Sequence, residues 1–328
     1  MGYTNFPNGL TSFGIPLPDG SSLSCPSVGT TYWVDGTNGS DSNSGKEHTK
    51  AFKTIQKAVT TQIADATGLG DVIYVLPGTY TESITGNLSQ CKLIGYHPFA
   101  VRVTPTASHA YSGNLHDAVI SGFMFDSPTT SNLDYAAVRF TTVQDSVITG
   151  NLFGKQGGAT TNSVGVMFGT YATASTTVSF HRSVFSNNQI MANGGGNTFY
   201  YGLGMCSGSG DATNANSRTM WNSRIENNII IGNTQGIRIV GNNAGSYGTI
   251  IRNNIIAGDA VNNGETLGEG MYFVDDTSPG QLSRIFVCDN RITSDADGIS
   301  GFSPQMTQGN IVGVGNAGTG APASETGQ

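Results

Sequence analysis

Residues able to do acid–base chemistry are sparse in this sequence. Asp and Glu number 22 in 328 residues, and Lys and Arg number 15. Cutting a polysaccharide takes two carboxyl groups across a groove, or a Ca²⁺-binding carboxylate cluster with a Lys or Arg base. The candidates are Asp275 and Asp276, with Asp295 and Asp297 following after one further repeat of the chain; Glu265, Glu269 and Asp289 lie nearby. Asp275-Asp276 closes the apolar run Met271 to Val274, so the four aspartates converge if successive repeats stack on one face. A simpler reading competes. Asp-Asp-Thr-Ser-Pro-Gly and Asp-Ala-Asp-Gly are ordinary turn sequences, and adjacent residues on a strand point opposite ways.

Other motifs lead away from metals and nucleotides. Asp41-x-Asn43 opens like a calcium loop, but the position that should hold a bidentate Glu is Phe52. Gly202-x-Gly204 lacks the third Gly and the βαβ setting of a nucleotide site. His48, His97, His109, His116 and His181 show no metal spacing, and Cys25, Cys91, Cys206 and Cys288 form no C-x-x-C. The cysteines read as small buried hydrophobes. No metal and no cofactor is expected. Phe199-Tyr200-Tyr201, Tyr171 and Trp221 have the chemistry to stack on sugars, although such residues more often fill a subunit interface or lie under a loop.

The elements that position these residues are repeats. Arg224-Ile-Glu-Asn-Asn-Ile-Ile-Ile-Gly232 is followed by Ile250-Ile-Arg-Asn-Asn-Ile-Ile-Ala-Gly258. Related copies are Ser186-Asn-Asn-Gln-Ile190, Cys288-Asp-Asn-Arg-Ile292 and Gly309-Asn-Ile-Val312, with an earlier cousin in Asp145 to Phe153. Ala118 to Phe125 matches that cousin with Phe in place of Asn. Asn is a poor strand former that readily takes a tight bend or left-handed backbone. A recurring bend with β-branched runs on both sides is the corner of a parallel β-solenoid. The bends recur after 27, 28, 26, 36 and 20 residues (Gly95 to Gly122, Gly122 to Gly150, Asn228 to Asn254, Asn254 to Asn290, Asn290 to Asn310). A second strand opening on Gly follows most bends, as at Gly165, Gly202, Gly236, Gly270 and Gly298. The expectation is about ten coils over roughly 50 Å, at ~4.8 Å per coil. Asn188, Asn228, Asn254, Asn290 and Asn310 should stack at one corner, with Ile229, Ile255 and Ile292 in the core.

The start of the folded part carries further signals. Tyr32-Trp-Val-Asp35 leads into Gly36-Thr-Asn-Gly-Ser-Asp-Ser-Asn-Ser-Gly45, then Ala51-Phe-Lys-Thr-Ile-Gln-Lys-Ala-Val59, then Asp71-Val-Ile-Tyr-Val-Leu-Pro-Gly-Thr-Tyr-Thr-Glu82. Phe52, Ile55, Val59 and Ile63 sit at helical spacing, which predicts a short amphipathic helix over residues 51–64 plugging one end. This loop, helix and strand resemble the opening of the pectate-lyase-like superfamily. With the repeats, the resemblance spans about residues 31 to 315. It implies an all-β fold: a single-stranded, right-handed parallel β-helix with an N-terminal capping helix. The superfamily holds lyases, hydrolases, phage tailspikes and inert structural proteins, so the resemblance leaves function open.

Residues 1–30 are punctuated by Pro and Gly and cannot form a helix or a central strand. Phe6, Leu10, Phe13, Ile15 and Leu17 make this an extended arm with apolar anchors, suited to docking on a partner. Thr4 to Pro16 resembles N-terminal segments of tailed-bacteriophage structural proteins. The expected organisation is an arm over 1–30, a cap over 31–70, the β-helix over 71–315 and a tail over 316–328.

Only 11% of residues are charged, Gly numbers 46, and net charge is −7. No basic cluster invites nucleic acid. The N-terminus has no basic and apolar signal regions, and no apolar run approaches membrane-spanning length. A virion protein, made in host cytoplasm and released by lysis, reconciles this with the extracellular look of the composition; so does a leader already removed. The reading is a bacteriophage virion structural protein, a capsid decoration or head-spike homotrimer. It would attach through residues 1–30 to the major capsid protein or another virion protein. The alternatives are a tailspike-type depolymerase, as polysaccharide lyase or glycoside hydrolase, and a protein that binds host surface glycan.

Overall fold

An Asn-Asn pair between two apolar runs divides its labour, and that division sets the architecture. The computed structural model describes Thr11–Ser12, Ile15–Pro16 and residues 29–314 apart from segments 66–69, 107–108, 129–134, 156–163, 171–177, 192–198, 208–217, 242–246, 259–268, 276–283, 295–298, 301–306 and 309–310. In each doublet the first residue takes the left-handed conformation: Asn187, Asn227 and Asn253 have φ of 55°, 59° and 54°, and Asp289 has 57°. Gly122 and Gly150, at φ 81° and 64°, do the same in earlier coils. The second residue turns inward. Asn188, Asn228, Asn254 and Asn290 are fully buried, and Asn151 is nearly so.

These amides form a continuous ladder. Asn228 Oδ1 accepts from the Asn188 backbone N–H at 3.0 Å and from Asn188 Nδ2 at 3.2 Å. Asn228 Nδ2 donates to the Phe185 carbonyl and to Asn254 Oδ1. The same set recurs from Asn151 to Asn188 and from Asn254 to Asn290. Buried amides are tolerable only when their donors and acceptors are matched, and here they are. The expected Asn stack is therefore present, extended by Asn151; Asn310 lies outside the described residues.

Pairing is parallel along the whole body, each strand bonding to its equivalent one coil on. One column of rungs runs through Thr31–Val34, Asp71–Val75, Cys91–Gly95, Val119–Ser121, Val147–Thr149, Val184–Ser186, Arg224–Glu226 and Tyr247–Arg252 to Arg284–Cys288. Its inward residues, Tyr32, Ile73, Leu93, Ile120, Ile148, Phe185, Ile225, Ile251 and Val287, are buried in register. Period-2 alternation demands this: a one-residue slip would expose the column. Beyond the Asn corner a second core column holds Val103, Phe125, Phe153, Ile190, Ile230, Ile256 and Ile292. Phe125, Phe153 and Phe185 stack face to face, with centroids 5.9 and 6.0 Å apart.

Two expectations need correcting here. Ile229 and Ile255 do not enter the core; Ile255 is 45% exposed, and Ile230 and Ile256 are buried instead. The inward Asn occupies one core position, so alternation sends the next residue out and the one after it in. Ile292 is buried as expected.

The helix spans Ile55–Ala64, not 51–64, and buries Ile55, Ala58, Val59 and Gln62. Ile63 faces out and is 48% exposed. Phe52 is buried on an extended segment bridged to Val34. Thr31–Val34 is itself a rung, paired in parallel with Asp71–Val75, so the solenoid begins before residue 71. At the far N-terminus, Thr11–Ser12 pairs antiparallel with Ile15–Pro16. Ile15 thus lies on a short strand paired with Thr11–Ser12. Phe6, Leu10, Phe13 and Leu17 lie outside the described residues.

Candidate functional site

The loop and helix of the N-terminal cap spend their polar residues on architecture. Asp41 accepts from the backbone N–H groups of Lys53 and Thr54 and from Thr54 Oγ1, each at 2.9 Å, which makes it a helix-entry cap. Thr54 in turn accepts from Lys57 N–H. Glu82 accepts from the first two helical N–H groups, of Ile55 and Gln56, at 2.9 Å each. An acidic group is suited to that end of a helix. Burial nonetheless holds the Glu82 carboxyl above the usual range, with the two N–H bonds pulling it back. Gln56 pairs with both the N–H and the carbonyl of Thr85, sealing a strand edge. Gly45 sits at φ +71°, and a Cβ there would meet the Phe52 ring at 2.1 Å.

The exposed chemistry gathers at the other corner of the coil. His116, Gln144, His181 and Trp221 are successive partners in one parallel column, with Ser89 before them and Tyr247 after. The next residue in each coil is left-handed: Gln90, Asp117, Asp145, Arg182 and Asn222 have φ between 47° and 50°. The residue after that turns inward. Ser146, Ser183 and Ser223 are buried there, and the Ser183 and Ser223 hydroxyls accept from the Ser146 and Ser183 N–H groups. This serine ladder holds the outer column at a fixed rise of ~4.8 Å per coil.

On that support the outer side chains interact in pairs. The rings of His181 and Trp221 stack face to face, with centroids 4.5 Å apart and planes 5° from parallel. Trp221 is 39% exposed. His181 Nε2 is bonded to the buried Thr219 Oγ1, which fixes the ring. Burial lowers the His181 pKa and the Arg182 charge lowers it further, with Asp145 opposing. Arg182 grips Asp145 with two bonds of 2.6 Å, and that contact holds the carboxyl below its usual range. His116 Nδ1 lies 3.0 Å from Asp117 Oδ2.

Among the described residues no group of three or more His, Cys, Asp and Glu side chains is placed to hold a metal. No described helix is long and apolar enough to cross a membrane. Asp276, Asp295 and Asp297 lie outside the described residues. Asp275 ends the strand Glu269–Asp275, and its side chain is likewise not described. Of the aromatic candidates, Phe199 and Tyr201 are buried and Trp221 is exposed; Tyr171 lies outside the described residues. Elsewhere, Arg102 Nε bonds the fully buried Asp126 carboxylate at 2.7 Å, with Thr104 Oγ1 at 3.0 Å.

The outer column escaped the sequence reading because histidines were tested only for metal spacing. A signal was present. Aligning His-Asp-Ala-Val-Ile-Ser (116–121), Gln-Asp-Ser-Val-Ile-Thr (144–149), His-Arg-Ser-Val-Phe-Ser (181–186) and Trp-Asn-Ser-Arg-Ile-Glu (221–226) puts His116, Gln144, His181 and Trp221 in one file.

Comparison with known proteins returned structures but no sequence relatives. No family model matches the chain. No curated protein matches it either. Among solved structures, an alginate lyase from Paenibacillus sp. str. FPU-7 superposes with TM-score 0.52 at 14% identity, over 79% of this chain and 94% of that one. Pectate lyase Pel9A gives 0.42 at 15% identity, covering 85% and 79%. Pectin methylesterase from carrot gives 0.39 at 14%, covering 88% and 90%. The fold is thus a right-handed parallel β-helix, the fold it shares with the alginate lyase.

Proposed function

We propose that this chain is a structural protein of a bacteriophage virion, a capsid decoration or head-spike protein held by residues 1–30 and assembled as a homotrimer. The observation that carries the non-catalytic part of this reading is the commitment of the described carboxyl groups. Asp41 and Glu82 cap the helix, Asp126 holds Arg102, Asp145 is gripped by Arg182, and Glu226 bonds Arg252 at 2.9 Å. A glycosidase needs one carboxyl kept protonated near neutral pH as the acid. The described carboxyl with a raised pKa is Glu82, and it lies beneath the helix. The virion part rests on the resemblance of Thr4 to Pro16 and on the apolar anchors Phe6, Leu10, Phe13, Ile15 and Leu17. Left in water, those side chains would forgo burial worth about 25 cal/mol per Å².

Deleting residues 2–20 tests the attachment. The truncated chain should stay soluble and folded and be missing from purified particles by mass spectrometry. Normal occupancy on particles would place attachment elsewhere, and loss of the fold would assign the segment to the protein's own core. A second reading, an enzyme acting on polysaccharide, is favoured by the superposition on the alginate lyase. It requires cleavage of an oligosaccharide that the double change Asp275→Ala, Asp295→Ala abolishes.

A further inference from the structure

Of the large apolar side chains exposed among the described residues, only Ile63 and Trp221 lie away from the Asn corner. Tyr96 and Phe99, 61% and 72% exposed, stand on the loop that makes this corner after the strand Cys91–Gly95. The loop is closed on itself: the Ala100 and Val101 N–H groups donate to the His97 carbonyl, and the Phe99 N–H donates to His97 Nδ1. Phe286 is on the outer face of the sheet that enters the corner, in one file with Val119, Val147, Val184 and Ile250, interrupted by Arg224. Met191, Ile231 and Ile255 are on the outer face of the sheet that leaves it. Met191 and Ile231 are direct partners, and Ile255 continues the neighbouring file of Leu152, Gln189 and Ile229. Single apolar side chains on a surface need no account, but a patch of them marks a contact. Charge follows the same division. The left-handed residues of this corner, Gly122, Gly150, Asn187, Asn227 and Asn253, are uncharged until Asp289, whereas the serine corner carries Asp117, Asp145 and Arg182.

We propose that this wedge is where copies of the chain meet: three of them close a ring about an axis parallel to the solenoid, with their Asn corners at the axis. This rests on the homotrimer of the preceding reading and assigns the surface that forms it. The two apolar faces look in different directions from one corner, so one flat partner cannot cover both. In a ring, each copy gives its entering face to one neighbour and its leaving face to the other, a heterologous contact that closes by rotation. The repeat argues that the neighbour is this same chain. Outward side chains recur at ~4.8 Å per coil, and a second copy running parallel presents rows at that same rise, so ridges meet grooves along the whole contact. Arg224 and Arg252, on the entering face, reach Glu226 at 3.9 and 2.9 Å, so their charges are compensated within the chain. The uncharged corner suits an axis, where any charge faces its own two copies. Tyr96 and Phe99 of the three chains pack against one another at the N-terminal end of that axis.

The test is sedimentation equilibrium of the full chain over a range of concentrations. Wild type should have three times the mass of one chain. Phe286→Asp breaks the entering face, and the double change Ile231→Asp, Ile255→Asp breaks the leaving face. Every contact in the ring uses one face of each kind, so either variant alone should fall to monomer, its affinity weakened by roughly a hundredfold or more by an unpaired charge in the contact. Ile63→Asp, at a site on the capping helix as exposed as Ile255, should leave the mass at three chains. Circular dichroism is measured for each variant. Should an Asp variant fail to fold, Phe99→Cys is treated with a short bismaleimide in the otherwise intact assembly; it should give a covalent dimer on a denaturing gel, and Ile63→Cys should not. A wild type of any other mass overturns this surface together with the homotrimer. A trimer that survives either face variant, or that yields no Phe99→Cys cross-link, overturns the surface and leaves the homotrimer standing. A dimer in either face variant overturns the ring, since each face then pairs with its own kind.

Discussion

Replacing Asn228 by Ala, and separately Asn227 by Gly, separates the two jobs of the doublet. Asn228 Oδ1 is the acceptor of the Asn188 backbone N–H at 3.0 Å, and Asn228 Nδ2 donates to the Phe185 carbonyl at 3.0 Å. Both sites are walled from water, since Asn188 and Asn228 are 0% exposed. Alanine removes these bonds. A buried backbone donor left unmatched costs about 1–3 kcal/mol, and the carbonyl adds a smaller loss, so the expected total is about 2–4 kcal/mol. Asn227 instead sits exposed at φ 59°. Glycine takes that conformation without steric cost, and the change should stay within about 0.5 kcal/mol. Urea unfolding followed by circular dichroism reads the difference. A solenoid is coupled mainly between neighbouring coils, so hydrogen exchange at the Asn188 amide is the sharper assay. At 1.4 kcal/mol per factor of ten, its protection should fall roughly 30- to 1000-fold in Asn228→Ala and hardly at all in Asn227→Gly. Equal losses in the two variants, or an unaffected Asn188 amide, would refute the ladder as a source of stability.

Two further outcomes follow from groups outside the ladder. Burial raises the Glu82 pKa in the fold, so the native state binds its proton more tightly than the unfolded chain. The stability contributed by this titration is present below the ordinary carboxylate range and is lost as pH rises through the raised value; the stability of wild type minus that of Glu82→Gln, measured by urea midpoints from pH 3.5 to 6.5, should therefore fall with rising pH, and a rise would contradict the assignment. Burial also pushes the Cys91 thiol up to about 12, so iodoacetamide at pH 8 should leave Cys91 unmodified in the native protein and label it in urea, as peptide mass spectrometry will show; rapid native labelling would mean that the coil around Asp71 and Cys91 opens.

The repeat was legible because each Asn doublet is a local device. One Asn supplies left-handed backbone and the other supplies an amide, and both requirements are written in residue type. The phase was harder to read. Ile229, Ile230 and Ile231 are equally apolar, and only the inward turn of Asn228 decides that Ile230 is the buried one. The serine corner was missed because Ser146, Ser183 and Ser223 carry little sequence signal, and the left-handed residue before each is a different type: Asp145, Arg182, Asn222. At that corner the side chain of the bent residue points to solvent and contributes nothing to the ladder, so its chemistry is free to vary. The Asn corner is constrained chiefly at the inward position.

The two corners therefore differ in how far they constrain the residues that build them. At the Asn corner, the inward Asn is tied into the amide ladder and its substitution carries a cost in stability, while the bent residue has only to take left-handed backbone. At the serine corner, a small hydroxyl inside satisfies the backbone of the neighbouring coil, and the two outward files beside it are left to other uses. One file holds His116, Gln144, His181 and Trp221, and the other holds Asp117, Asp145, Arg182 and Asn222. Aromatic, cationic, anionic and amide groups follow each other there at one coil spacing, a diversity that packing does not require. In a solenoid the outer surface varies file by file, one residue per coil. Substituting a residue of these outward files should therefore leave the melting transition nearly in place, because the file is held by the serine ladder beneath it and does not itself hold the fold.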